Sequence, residues 1–305
     1  MEIINNFEFS QRLNPLNDYL FYKVMGEKGD EEQLLGFLNA VLVSNNLVNG
    51  KESSGKEPIK SVEILENKSF VADIINGKSC ILDVRAILTD GTMVNIEVQL
   101  RNEHNIDRRS LFYWSRMYSE SINEGQDYSE LPNVIAVNVV DFDFPPGGNV
   151  HTCFRLREDF NPALVLNDAL EIHFINMVRW RKQEGKDIKN PLHRWLTWFD
   201  AKSPPELVEE VTGMDSAIKA ANEKQYYLTK DWEERDLYRR RQMAIMDYNS
   251  GINYARKEGR QEGEQIGLQE GKVEIARKAL AEGLSVEFVQ KITGLDIAAI
   301  QGLSG

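Results

Sequence analysis

The chain has 305 residues, of which 42% are hydrophobic, and its 48 Asp and Glu against 36 Lys and Arg give a formal net charge of −12. This length holds one large domain or two modest ones with a real core. No apolar run reaches the roughly 18 residues of a membrane span, the opening segment Met1–Asn6 lacks a basic-then-apolar leader pattern, and two cysteines, Cys80 and Cys153, give no disulfide framework.

A reducing cytoplasm is the expected setting. The four histidines have no close Cys or His partner in sequence, which argues against a structural zinc site. Residues 13–43 read as helix, with Asp30-Glu31-Glu32-Gln33 as an acidic first turn ahead of Leu34, Leu35, Phe37, Leu38 and Val41. Residues 45–57 are polar and glycine-containing, hence a loop. Val62–Leu65 reads as a strand leading into a hairpin.

The hairpin is the most informative segment. Cys80–Leu88 and Met93–Leu100 each alternate with period two around Thr89-Asp90-Gly91-Thr92. Val94, Ile96, Val98 and Leu100 face one way; Asn95, Glu97 and Gln99 face the other. A carboxylate in the middle of such a strand is costly unless something pairs with it. Directly opposed residues of an antiparallel pair share a face. A two-residue turn would put Asp83 on the wrong side, whereas a three-residue Thr89-Asp90-Gly91 loop, with Gly91 left-handed, sets Asp83 against Glu97 and Ile81 against Gln99. The longer loop is therefore predicted. Asp83 and Glu97, with the Val98 carbonyl, then form an oxygen ligand set suited to Mg2+, with Mn2+ or another divalent ion as substitute. Such an ion polarises a phosphodiester and activates water, and Gln99 is placed to orient that water. The alternative is a structural Asp83–Arg85 ion pair with Glu97 on a solvated face.

Residues 107–122 read as helix, with Leu111, Trp114, Tyr118 and Ile122 as a core stripe and Arg109, Tyr113 and Arg116 on another face. Arg109 is the candidate for a phosphate contact or for a partner to Asp83 or Glu97. Val134–Phe142 is a continuous apolar strand, as expected for one buried on both faces. His151–Glu158 and Ala169–Met177 add strands, giving an α/β mixed sheet flanked by helices. Phosphate binding normally needs a basic footprint, and the acidic total opposes it. Three local clusters stand out: Arg101, Arg108, Arg109 and Arg116; Arg179, Arg181, Lys182, Lys186, Lys189 and Arg194; and Arg239-Arg240-Arg241. Each is either a phosphate track or a solvated helix face.

Beyond about Asn190 the chain reads as helical. Trp195, Trp198 and Phe199 have core spacing, and residues 207–254 read as two or three helices. Gly259, Gly263, Gly267 and Gly271 form a side-chain-free stripe, which suits either close packing against a twin or its own body, or a flexible hinge. Val273–Ala281 is an apolar-periodic helix. Ser285 caps the next one, Thr293-Gly294 closes it, and Asp296 caps the last turns. This unit resembles a helix-turn-helix, a DNA reader or, given its low positive charge, an oligomerisation or docking element.

An acid in a strand, a turn, then Glu97-Val98-Gln99 resembles the PD-(D/E)XK nuclease core. More narrowly, the chain resembles the Rpn-type recombination-promoting nucleases, also labelled transposases. The resemblance spans most of residues 13–305. It includes Asn17–Lys23, Leu34–Ala40, Ile81–Asp83, Asn95–Gln99, Arg109–Ser115, Gly125, Tyr128, Asn133–Asn138 and the glycine-spaced tail. It departs from the wider superfamily at Gln99, where Lys is usual, and at Leu82, where Pro is. The resemblance implies a restriction-endonuclease-like fold and a metal-dependent DNA endonuclease with a role in recombination or mobile-element biology. The implied layout is a nuclease-like domain over 1–190, a helical extension packed on it over 191–258, and a glycine-spaced helix with a small helical tail over 259–305. In the implied site Asp83, Glu97 and Gln99 are catalytic. Asp83, Glu97 and Val98 hold the metal, Arg109, Arg108 and Arg116 hold phosphate, and Glu31 or Glu32 can join. DNA is the implied partner, with a homo-oligomer formed through the tail. The alternative is a catalytically weak DNA-binding or protein-interaction module that works through the tail.

Overall fold

A computed structural model describes residues 12–43, 47–48, 51–52, 57–65 and 84–303. The chain divides into two compact units, 1–242 and 243–305.

The first unit is built on a mixed sheet. Among the described residues its strands are β3 (Val62–Leu65), β4 (Val84–Leu88), β5 (Met93–Gln99), β6 (Val134–Val140), β7 (His151–Phe154) and β8 (Leu170–Asn176), in the order β3-β4-β5-β6-β8-β7. A separate two-stranded ladder pairs β1 (Leu47–Val48) with β2 (Lys51–Glu52). β3, β4 and β5 form an antiparallel meander, β5-β6-β8 run parallel, and β7 pairs antiparallel with β8. Parallel neighbours need a crossover, which for β5 and β6 includes helix α3 (Ile106–Glu120).

One face of the sheet carries the large core. Val84, Ala86, Val94, Ile96, Val98, Val137 and Val139 pack with α1 (Asp18–Met25), α2 (Glu31–Leu42) and Trp195, Trp198 and Phe199. Those aromatics lie on α5 (Pro191–Phe199), which follows the short α4 (Met177–Lys182), and each is at most 1% exposed, so the core reading of this segment holds. α6 (Pro205–Met214) and α7 (Ser216–Lys230) complete the layer. Gly36 sets how close α2 lies to α7: a Cβ there would come within 2.4 Å of the Ala217 Cβ. The other face carries a smaller cluster of Ala136, Val140, Leu170, Ile172 and Phe174 beneath Ile106 and Trp114 of α3.

Three sequence expectations need correction here. Residues 13–43 are two helices rather than one. The first ends at Gly26, Gly29 takes φ 102°, and α2 restarts at Glu31. In α3 the core stripe is rotated: Ile106, Ser110 and Met117 are buried, Trp114 is partly buried, and Leu111 is 49% exposed. The sheet surface beneath is partly polar, and it selects the helix face that carries Ser110 and Arg109. Finally, the segments read as separate helices between Trp232 and Ala281 are one 50-residue helix, α8. Its early turns bury Tyr238, whose hydroxyl accepts from Asn14 N at 3.2 Å.

In the second unit α8 continues through the four tail glycines without a break, so the hinge alternative does not hold as a loss of helix. Bonds at i,i+4 such as Arg260–Glu264 (2.8 Å) and Lys278–Glu274 (2.6 Å) support it. A Cβ at any of the four glycines would meet nothing within 4 Å among the described residues. α9 (Val286–Thr293) and α10 (Ile297–Gln301) fold back to bury Ala276, Ala279, Val289, Leu295 and Ile300. The caps form as predicted: Ser285 accepts from Phe288 N, Gly294 is left-handed at φ 66°, and Asp296 accepts from Ala298 N.

Candidate nuclease site

The β4–β5 turn decides which face each acid takes. Leu88 N donates to Thr92 O and Gly91 N to Leu88 O, both at 2.9 Å, with Gly91 at φ 84°. This is the three-residue loop that the sequence predicts. Val84 stands opposite Ile96, Arg85 opposite Asn95 and Ala86 opposite Val94. That register keeps Asn95, Glu97 and Gln99 on the face away from the large core. Asp83, with Ile81 and Leu82, lies outside the described residues.

Asn95, Glu97 and Gln99 are only 3%, 2% and 8% exposed. Arg109 on α3 reaches Glu97: its Nη2 donates to Oε1 at 2.5 Å, its Nη1 lies 3.5 Å from Glu103, and its guanidinium sits 5.7 Å from the Tyr113 ring centre. A buried carboxylate facing a guanidinium is the pairing that burial demands. Beside it, Asn138 is the cross-strand neighbour of Glu97 on β6. It accepts from Ser110 Oγ at 2.9 Å and donates to His173 O at 3.1 Å.

The row is not saturated. Both ends of the Gln99 amide, Asn95 Oδ1 and Arg109 Nε are buried without a hydrogen-bond partner among the described residues. A buried polar group left without any partner costs about 1–3 kcal/mol.

The other predicted residues distribute unevenly. Arg108 is exposed, and Arg116 is exposed and paired with Glu120, so Arg116 does not share the inward face of Arg109 and Tyr113 as expected. Glu31 accepts from Gly29 N at the start of its own helix, and α2 packs on the face of β5 opposite Glu97. The second basic cluster is largely used internally: Arg179 pairs with Asp143, Arg181 with Asp141 and Asp200, and Arg194 with Asp215. In the third, Arg240 pairs with Asp236 and Arg241 with Asp18. Sequence reasoning missed Asn138, whose signal was a lone polar side chain within Val134–Val140.

It also missed a second polar cluster. The β7–β8 ladder sets Cys153 opposite His173, and His151 and Glu171 join them. Two of the four histidines, His151 and His173, therefore do have close His or Cys partners, brought together by strand pairing rather than by sequence spacing. Burial, with the neighbouring His173, pushes His151 down to about 3. Burial would lower His173 as well, but its hydrogen bonds to Cys153 and Glu171 outweigh that and raise it.

The profile of the PD-(D/E)XK nuclease family transposases matches residues 15–255. The chain belongs to that family. A second profile, the C-terminal helix-turn-helix domain of the Rpn/YhgA-like nuclease family, matches residues 269–305, where α8 ends and α9 and α10 pack. Neither the curated proteins nor the solved structures contain a significant match. The fold is the restriction-endonuclease-like mixed sheet of the nuclease family, followed by a helical C-terminal region. No helix among the described residues is long and apolar enough to cross a membrane.

Proposed function

We propose that the chain is a divalent-metal-dependent DNA endonuclease that hydrolyses phosphodiester bonds in recombination or mobile-element biology. The observation that carries this reading is the buried polar row Asn95-Glu97-Gln99, whose amide atoms on Asn95 and Gln99 lack a partner among the described residues. The reading extends the 84–96 register to Asp83, which would then oppose Glu97. Those two carboxylates and the Val98 carbonyl form an all-oxygen donor set that fits Mg2+ or Mn2+. When bound, such an ion polarises the phosphodiester and lowers the pKa of the attacking water.

The side chains do the rest. Glu97 places negative charge at the foot of α3. Gln99 Oε1 accepts a hydrogen from the attacking water, which fixes its lone pair toward phosphorus, and Nε2 donates to a phosphate oxygen. Arg109 holds Glu97 through Nη2 while Nε, unused among the described residues, offers a further donor to phosphate. Arg108 and Arg116 line the exposed side of the same helix and track the DNA backbone. No fixed charge stands at Gln99, so phosphate stabilisation falls more heavily on Arg109. The helix-turn-helix supplies a second DNA contact.

One observation favours a different emphasis. Residues 269–305 carry four Lys or Arg against five Asp or Glu, too little charge for strong phosphate binding. The glycine stripe is exposed, which suits a second copy of the chain. Under this second reading the tail docks protein and catalysis is weak.

Plasmid nicking with Mg2+ or Mn2+ at low salt, with EDTA and Glu97→Ala as controls, separates the two. Cleavage that needs metal and falls by roughly 100-fold or more in the variant supports the endonuclease. No cleavage by folded wild type on any DNA form moves the reading to the docking module.

A further inference from the structure

The second polar cluster lies at the opposite edge of the described sheet from β3 and shares no residue with the row on β5. Cys153 is exposed on edge strand β7, while Glu171 and His173 are each 3% exposed on β8. Three donor atoms of different chemistry converge there. His173 Nε2 lies 3.1 Å from Glu171 Oε2 and 3.7 Å from Cys153 Sγ, and all three ligand atoms lie within 4.8 Å of one another. From these contacts we infer that Cys153, Glu171 and His173 form a zinc site on the β7–β8 edge, with solvent in the fourth position.

The distances fit. Zinc binds imidazole nitrogen and carboxylate oxygen at about 2.0 Å and thiolate at about 2.3 Å. Tetrahedral angles then set N and O about 3.3 Å apart, and N and S about 3.5 Å apart. The observed 3.1 and 3.7 Å differ from these edges by about 0.2 Å, and the third edge, from the Glu171 carboxylate to Cys153 Sγ, lies within 4.8 Å. The supporting contacts also fit. A ligating histidine is normally fixed through its other ring nitrogen and a ligating carboxylate through its other oxygen. His173 Nδ1 lies 2.9 Å from His151 Nε2, and Arg155 Nη2 donates to Glu171 Oε1 at 2.8 Å. Both therefore aim their remaining atoms at the proposed centre.

A convergent catalytic triad fits less well. In that arrangement the acid holds the ring nitrogen remote from the nucleophile, whereas Glu171 and Cys153 both meet Nε2. The mixed thiolate, imidazole and carboxylate set selects zinc over magnesium, which takes oxygen ligands. Binding replaces the thiol proton and the proton at Nε2, which pass to solvent. The ion would clip the free edge strand β7 to β8.

The test uses the full chain, stripped with a chelator and then dialysed against zinc, with metal content measured by mass spectrometry. A parallel cobalt(II) titration follows the thiolate-to-cobalt charge-transfer band. Wild type is expected to retain one zinc per chain, to melt at a higher temperature with zinc than without, and to show the band. Cys80→Ser is expected to keep all three properties; Cys153→Ser, at an exposed position, loses them with its circular dichroism spectrum unchanged. Failure of wild type to retain zinc, or a charge-transfer band that survives Cys153→Ser, overturns the site. The result does not depend on whether the β5 site cleaves DNA.

Discussion

The two faces of β5 are built to opposite specifications. On one, Val94, Ile96 and Val98 are buried in an apolar cluster with helices and aromatic rings. On the other, Asn95, Glu97 and Gln99 are buried almost as deeply, yet the Gln99 amide and Asn95 Oδ1 have no hydrogen-bond partner among the described residues. One strand thus anchors the fold with its even-numbered side chains and carries the proposed site with its odd-numbered ones. The difference teaches that burial alone does not mark the apolar core: one strand buries a hydrocarbon row on one face and a polar row on the other.

Three substitutions sharpen or break that comparison. The largest effect is expected for Arg109→Ala, which removes the guanidinium from a carboxylate that is 2% exposed. Stability measured by urea denaturation should fall by about 3–5 kcal/mol. The Arg109→Met, Glu97→Leu double variant should recover most of that loss while remaining inactive; a double variant as unstable as the single one would show that the pair is not the unit. Next, Ile96→Ala on the apolar face should cost about 3 kcal/mol. Cleavage measured well below the midpoint of unfolding should stay near wild type, and a selective loss of activity there would break the division of labour between the faces. The smallest effect, and the most diagnostic, is expected for Gln99→Leu. Removing two polar ends that have no partner among the described residues, while keeping volume, should stabilise the fold by about 1 kcal/mol and abolish nicking. A destabilised Gln99→Leu protein would mean that the amide already serves the fold.

The legible parts of the sequence were the local ones. Period-two alternation with Gly91 determined the hairpin register, Ser285, Gly294 and Asp296 marked the ends of the small helices, and the apolar run Val134–Val140 announced a strand buried on both faces. Arg109 was legible as a partner for an acid because it shares a helical face with Tyr113. The parts that escaped depend on tertiary partners. Leu111 and Ile106 both lie on plausible apolar stripes of α3, and only the polar surface of the sheet decides between them. The second basic cluster was open between a phosphate track and a solvated helix face, and its arginines instead pair with Asp141, Asp143, Asp200 and Asp215, most of them distant in sequence. Cys153 and His173 are neighbours only because β7 runs back along β8 with His151 opposite Ile175.

The turn at Thr89-Asp90-Gly91 has a consequence for how this hairpin can change length. Strand side chains alternate strictly, so the loop acts as a parity setting. Inserting or deleting one residue between Leu88 and Thr92 would leave β5 in its parallel register with β6 but shift every residue of β4 to the opposite face. Any ligand supplied from the first strand would then point into the hydrocarbon layer while Glu97 stayed where it is. Insertions and deletions in this turn should therefore be tolerated in steps of two, or when matched by a compensating bulge, and a single-codon change there should cost the fold as well as the activity, because Val84, Ala86 and Leu88 would leave the core.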